Sequence, residues 1–182
     1  MFNIIVYGKK RDTSISRTLI KCLSKYGGVQ YSIPNETGVS GCCTTPSFFL
    51  LDLPRMNKFF SNQKGCIIFK NSFNNFSASL FQTHLTPIFD LQNTEAHKVL
   101  AGSNKIVITC GTSAKNTLSL ASLKEDSAVI SLQRYIKTFN SDVIEPRDFT
   151  IKFSDKIDVY PLLSTCAVLL LSGISPDNGY II

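Results

Sequence analysis

The segment Gly8-Lys9-Lys10-Arg11-Asp12-Thr13-Ser14 gathers the side chains of this sequence best suited to anion chemistry. It stands between a short β-branched run, Asn3 to Tyr7, and a stretch from Ile15 to Tyr26. That stretch places Ile15, Leu19, Ile20 and Leu23 at helical spacing. A strand, loop and helix in this order can cradle phosphate. Backbone N–H groups at the helix N-terminus face the oxygens, a lysine reaches the terminal phosphates, and the next Thr or Ser holds Mg²⁺. The candidate nucleotide- or anion-binding residues are therefore Gly8, Lys9, Lys10, Arg11, Thr13 and Ser14. The lysine position itself reads Asp12, and Arg11 stands where a glycine is needed. The plainer reading is a solvated turn in which Asp12 or Thr13 caps the helix.

Other reactive groups form no constellation. Glu95 lies two residues from His97, a spacing that points side chains apart on a helix, so His84 and His97 read as surface histidines. Cys110 precedes Gly111-Thr112-Ser113 at a strand end, where α/β folds place nucleophiles and ligands. A small buried thiol explains it more simply. Cys42-Cys43 has no second Cys or His pair at ligand spacing, so no metal site is expected. The aromatic stretch Phe59 to Phe81, with Lys58, Lys64 and Lys70, has the composition of a base-stacking surface. Core and loop-anchoring aromatics account for it more simply, and nucleic acid is not an expected partner.

The elements that must position these groups alternate. Gly27-Gly28 stops the first helix, and Val29 to Ile33 follows as a strand, the start of a βαβ unit and a parallel sheet. Pro34 to Pro46 reads as a loop, Ser47 to Phe60 as a helix that Pro54 kinks or restricts to the part that follows, and Cys66 to Phe69 as a buried strand. Asn71 to Thr83 has no clean period. Glu95 to Ala101 suits a short helix, and Lys105 to Cys110 a third strand. After Thr117, short apolar runs between turn residues predict strands and hairpins in a second small sheet. Tyr160 to Leu171 reads as an apolar helix capped by Gly173.

Composition fits this plan. The 182 residues are 43% hydrophobic and 18% charged, which excludes a disordered chain and suits a single domain. A net charge of +6 is compatible with an anionic partner without naming one. The start of the chain has its basic residues after the apolar run, the reverse of a secretory signal, and the longest apolar run is Cys166 to Leu171. Membrane insertion is not expected. Six scattered cysteines read as reduced thiols of a cytoplasmic protein.

Several segments in order resemble one family. Ile4-Ile5-Val6-Tyr7-Gly8, through Thr13-Ser14 to Leu19-Ile20 and Gly27, resembles the opening of the central ATP-binding domain of Mur ligases: strand, the loop G-T-N-G-K-T-T, helix, glycine. Thr44-Thr45-Pro46 resembles the T-T-P of the members that add the third peptide residue, the UDP-N-acetylmuramoyl-tripeptide synthetases. Cys66-Ile67-Ile68-Phe69-Lys70-Asn71-Ser72 stands where they carry V-x-E-V-S-S. The tail, Asp158-Val159-Tyr160-Pro161-Leu162-Leu163 through Ala167 to Ile174, is similar to their N-V-Y-N-A-L-A-A…A-L-L-L-G-I. The resemblance implies a three-layer, P-loop-like α/β domain with a mainly parallel sheet and a small antiparallel β section. It also implies a substrate-facing surface at Thr44 and Thr45.

The departures bear on function. The family's phosphate-binding lysine falls at Asp12 and its metal-binding glutamate at Phe69; if Thr83-His84-Leu85 is the remnant of its T-N-x-x-x-D segment, the Asn and Asp of that segment fall at His84 and Ile88. Two unit charges ~4 Å apart interact by roughly 4 kcal/mol at an effective dielectric of ~20, so exchanging Lys for Asp turns an attraction of that order into a repulsion. The resemblance covers only the middle domain of a full ligase, so the UDP-sugar-binding and amino-acid-delivering domains are expected to be missing. The expectation is a catalytically impaired, Mur ligase-like binding or regulatory module related to peptidoglycan precursor synthesis, with no cofactor, while ATP and Mg²⁺ stay open. The alternative is a residual nucleotide-binding subunit completed by a second chain. A nucleotide, a UDP-sugar and a protein stay open as partners.

Overall fold

A computed structural model describes residues 1–42, 44–54, 64–74, 84–101 and 103–182. The first apolar run becomes β1 (Phe2–Tyr7), an interior strand of the sheet. β4 (Phe48–Leu53) and β5 (Gly65–Phe69) flank it, both parallel to it. β2 (Val29–Ile33) lies parallel outside β4. On the other side β6 (Thr86–Asp90), β7 (Ile108–Gly111) and β8 (Leu118–Leu123) continue the parallel order. β9 (Ser127–Leu132) and β12 (Arg147–Lys152) then add antiparallel strands, and β13 (Tyr180–Ile181) closes that edge.

The antiparallel section anticipated after Thr117 is present, but it extends the main sheet. A separate ribbon is made by β10 (Ile136–Lys137) and β11 (Val143–Ile144). The expected three-layer α/β arrangement holds. Alternation along β1 sends Ile4 and Val6 to one face and Ile5 and Tyr7 to the other. The first face packs on α1 (Ser14–Leu23) and α3 (Val159–Leu171), and the second on α2 (Thr94–Leu100). Tyr160 to Leu171 are all buried, so α3 is apolar on every side because it has no solvent side. It ends as a Schellman motif: Gly173, at φ +83°, donates to the Leu170 carbonyl and Ile174 to that of Leu169.

Two expectations are corrected. The loop Pro34 to Pro46 contains β3 (Glu36–Ser40), which pairs antiparallel with β2. Pro34 and Asn35, the latter at φ +70°, make the two-residue turn. The helix expected over Ser47 to Phe60 is instead β4 in its described part. A short continuous apolar run lacks a period that separates helix from strand, and pairing with β1 and β2 decides the matter. Thr86 to Asp90, for which the sequence offered no element, forms a strand between β5 and β7 despite Pro87, a residue that usually argues against such a place. Residues 55–63 and 75–83, which hold most of the aromatic stretch, lie outside the described residues.

Candidate functional site

The predicted anion loop leaves the C-terminal end of β1 at Gly8, where the chain passes over Lys70. A Cβ on Gly8 would fall 2.6 Å from the Lys70 Cβ, so only glycine allows this approach. Lys70 follows β5 and is fully buried. Its Nζ lies 2.7 Å from Asp52 Oδ1 of β4 and donates to the Lys9 carbonyl at 3.2 Å. Ser16 Oγ of α1 donates to the other Asp52 oxygen at 2.6 Å. Burial pushes the Asp52 carboxyl up, while the Lys70 and Ser16 bonds pull it down and the charge of Asp12 adds to the rise. A complete buried ion pair therefore underlies the loop.

Asp12 does not cap α1. Its carboxylate accepts from Ser72 Oγ at 2.6 Å and Ser14 Oγ at 3.0 Å, and Thr13, at the N-cap position, makes no side-chain cap bond. The Ser72 hydroxyl, carried just beyond β5, claims the carboxylate that the sequence assigned to the helix. Lys9 N–H also donates to Ser72 Oγ, at 3.2 Å. These ties split the candidate residues. Asp12 and Ser14 line a cleft, whereas Lys10, Arg11 and Thr13 line a separate groove beside Arg17, Pro34 and Asn35. Arg17 is itself 3.6 Å from Glu36.

The cleft, about 460 Å³, lies at the C-terminal ends of β1, β5, β6 and β7, where open α/β sheets bind ligands. Asp12, Asp90 and Asp158 line it with Ser14, Asn71 and Thr112, and among the described residues its lining includes no Lys or Arg. Asp90 accepts from Asn71 Nδ2 at 3.3 Å and from the Gln92 N–H at 2.9 Å. Tyr160, also on the wall, donates to the Phe69 carbonyl at 2.5 Å, and burial pushes its phenol well above the usual value. Among the described residues no group of three or more His, Cys, Asp or Glu is placed to hold a metal ion.

The remaining candidates lie elsewhere. Phe69 points to the opposite face and packs on Tyr7 and Phe73 in the second core. Thr44 and Thr45 are exposed between β3 and β4, before Phe48, which is in register with Phe2. They thus sit at the N-terminal edge of the parallel strands, while Gly8 follows Tyr7 at the other. Five residue steps of ~3.3 Å separate the edges by roughly 16 Å. His84 and His97 are exposed, and Glu95 pairs with Lys98 at 2.8 Å. Cys110 is fully buried and its thiol is pushed up by burial, as expected of a core thiol. Cys42 is exposed, and Cys43 lies outside the described residues. Sequence reasoning missed Lys70, Asp52 and Ser16. The available signal was a charged residue within or directly after an apolar run, Phe48 to Leu53 and Cys66 to Phe69.

No family model matches the sequence, and no curated protein is similar enough to match it. Solved structures do match. A murein peptide ligase from Psychrobacter arcticus superposes with a TM-score of 0.59 at 10% identity, over 97% of this chain and 45% of its own. This is a Mur ligase fold. A UDP-N-acetylmuramoyl-L-alanyl-D-glutamate–2,6-diaminopimelate ligase gives 0.56 at 12%, over 95% and 43%. The MurF ligase of Thermotoga maritima, solved in complex with ADP, gives 0.56 at 12%, over 97% and 46%. The chain spans less than half the length of each. Among the described residues no helix is long and apolar enough to cross a membrane.

Proposed function

We propose that this chain is a Mur ligase-like module of peptidoglycan precursor metabolism that binds a partner and does not transfer phosphoryl groups. The observation that carries the reading is the charge of the cleft: among the described residues Asp12, Asp90 and Asp158 line it, without a lysine or arginine. A nucleotide's phosphates entering it would meet carboxylates of their own sign. The residues do not fit a magnesium nucleotide. Asp12 stands at the lysine position of the resemblance, Phe69 at the glutamate position faces the core, and Lys70 is already spent on Asp52. Lys10 and Arg11 of the loop line the neighbouring groove instead.

The test is calorimetric titration of the intact chain with ATP and ADP, with and without Mg²⁺, alongside phosphate-release assays. We expect no turnover and no saturable binding tighter than about 1 mM, which corresponds to ~4 kcal/mol. Magnesium-dependent ATP turnover that disappears in Thr13→Ala would overturn the reading.

A further inference from the structure

Ile106 is 81% exposed and Tyr135 66% exposed, and both line one groove of about 400 Å³. Val107, Ile136 and Leu171 supply further apolar lining. Val143, 52% exposed, stands beside the groove, opposite Lys137 in the β10–β11 ribbon. Single exposed apolar side chains are ordinary, but a concave group of them marks a binding surface.

Charge narrows the occupant. Arg134 and Lys137 are the charged residues of the lining, with no carboxylate among them. Arg134 donates to the Lys115 carbonyl at 2.8 Å, a neutral acceptor that leaves its charge uncompensated. Among the described residues neither cation enters an ion pair. The groove also stands apart from the cleft. Thr86 and Ile108, which line it, open β6 and β7, whereas Asp90 and Gly111 at the far ends of those strands line the cleft.

We propose that this groove docks an acidic peptide segment of a protein partner. An aromatic or long aliphatic side chain seats between Ile106 and Tyr135, and flanking Asp or Glu residues meet Arg134 and Lys137. A cavity of this size holds one or two side chains. The inference goes beyond the proposed function, because nothing in it depends on the cleft.

The test pans a random-peptide display library against the intact chain, then measures the synthetic leading peptide by fluorescence anisotropy. Enriched sequences should carry an aromatic or aliphatic residue flanked by Asp or Glu. Tyr135→Ala and Lys137→Glu should each weaken the leading peptide at least tenfold, and salt should weaken it further. Both positions are exposed, so thermal unfolding of the variants should match that of the parent. Failure to enrich, enrichment without acidic residues, or parent-like binding by either variant would overturn the proposal. So would anionic phosphatidylserine vesicles that bind the chain while no peptide does, and lose it in the same variants. Nucleotide titration is read independently: ATP turnover sinks the proposed function and leaves this inference standing.

Discussion

Lys70 brings a full charge into the interior, and that charge is tolerated because Asp52 and the Lys9 carbonyl receive its protons. Removing one partner leaves the other charge buried without compensation, whereas replacing both by apolar groups removes the problem. Lys70→Met should therefore cost about 3–5 kcal/mol, and Lys70→Met with Asp52→Leu should recover most of that loss in urea denaturation. Equal destabilisation by the single and double variants would show that the pair is not coupled. The single variant has a pH signature as well. Burial already holds the Asp52 carboxyl above its unfolded value, and loss of Lys70 removes a group that lowers it. The folded state then keeps the proton over a wider range. Stability is lost as pH rises through the raised value, so the deficit of Lys70→Met should shrink on acidification.

At the scale of elements, Asn93 joins two pieces of the site's scaffold. Its Oδ1 accepts from the Ala96 N–H, capping α2, while its Nδ2 donates to the Lys70 carbonyl at 2.8 Å. Asn93→Ala should cost about 1–3 kcal/mol, a lost cap plus a buried carbonyl without its donor. Asn93→Asp, which keeps the cap and loses the donor, should fall between the two; a loss as large as that of Ala would assign the whole effect to the Lys70 carbonyl. Elements with strong local signals were legible in the sequence. β1, α1, β2, β5 and α3 each combine a clear pattern with a glycine or turn at a boundary. β4 was not, because Phe48 to Leu53 is equally apolar in either conformation until its neighbours are known. β6 was hidden by Pro87. The loop's position was legible, but which way its side chains face depends on Ser72, and the Lys70–Asp52 pair depends on strands meeting across the sheet.

The whole molecule carries a formal charge of +6, yet its cleft is lined by acids, so net charge is a poor guide to where an anion binds. This distinction decides what a single charge reversal can do. Asp12→Lys places a cation at the position of the resemblance but leaves Asp90 and Asp158 on the wall and deprives Ser72 of its acceptor. Asp90→Asn keeps an oxygen for the Gln92 N–H, so it removes charge without undoing that turn. We therefore expect Asp12→Lys alone to leave ATP binding undetected. Asp12→Lys combined with Asp90→Asn and Asp158→Asn should bind ATP at least tenfold more tightly than the single variant, a gain of about 1.4 kcal/mol or more. Calorimetry on the parent, single and triple variants, each checked for an unchanged unfolding transition, makes the comparison. Full binding by the single variant would make Asp12 the sole obstacle. No binding by any of them would place the obstacle in the loop's shape, held by Gly8 over the buried Lys70 and by Ser72 on Asp12.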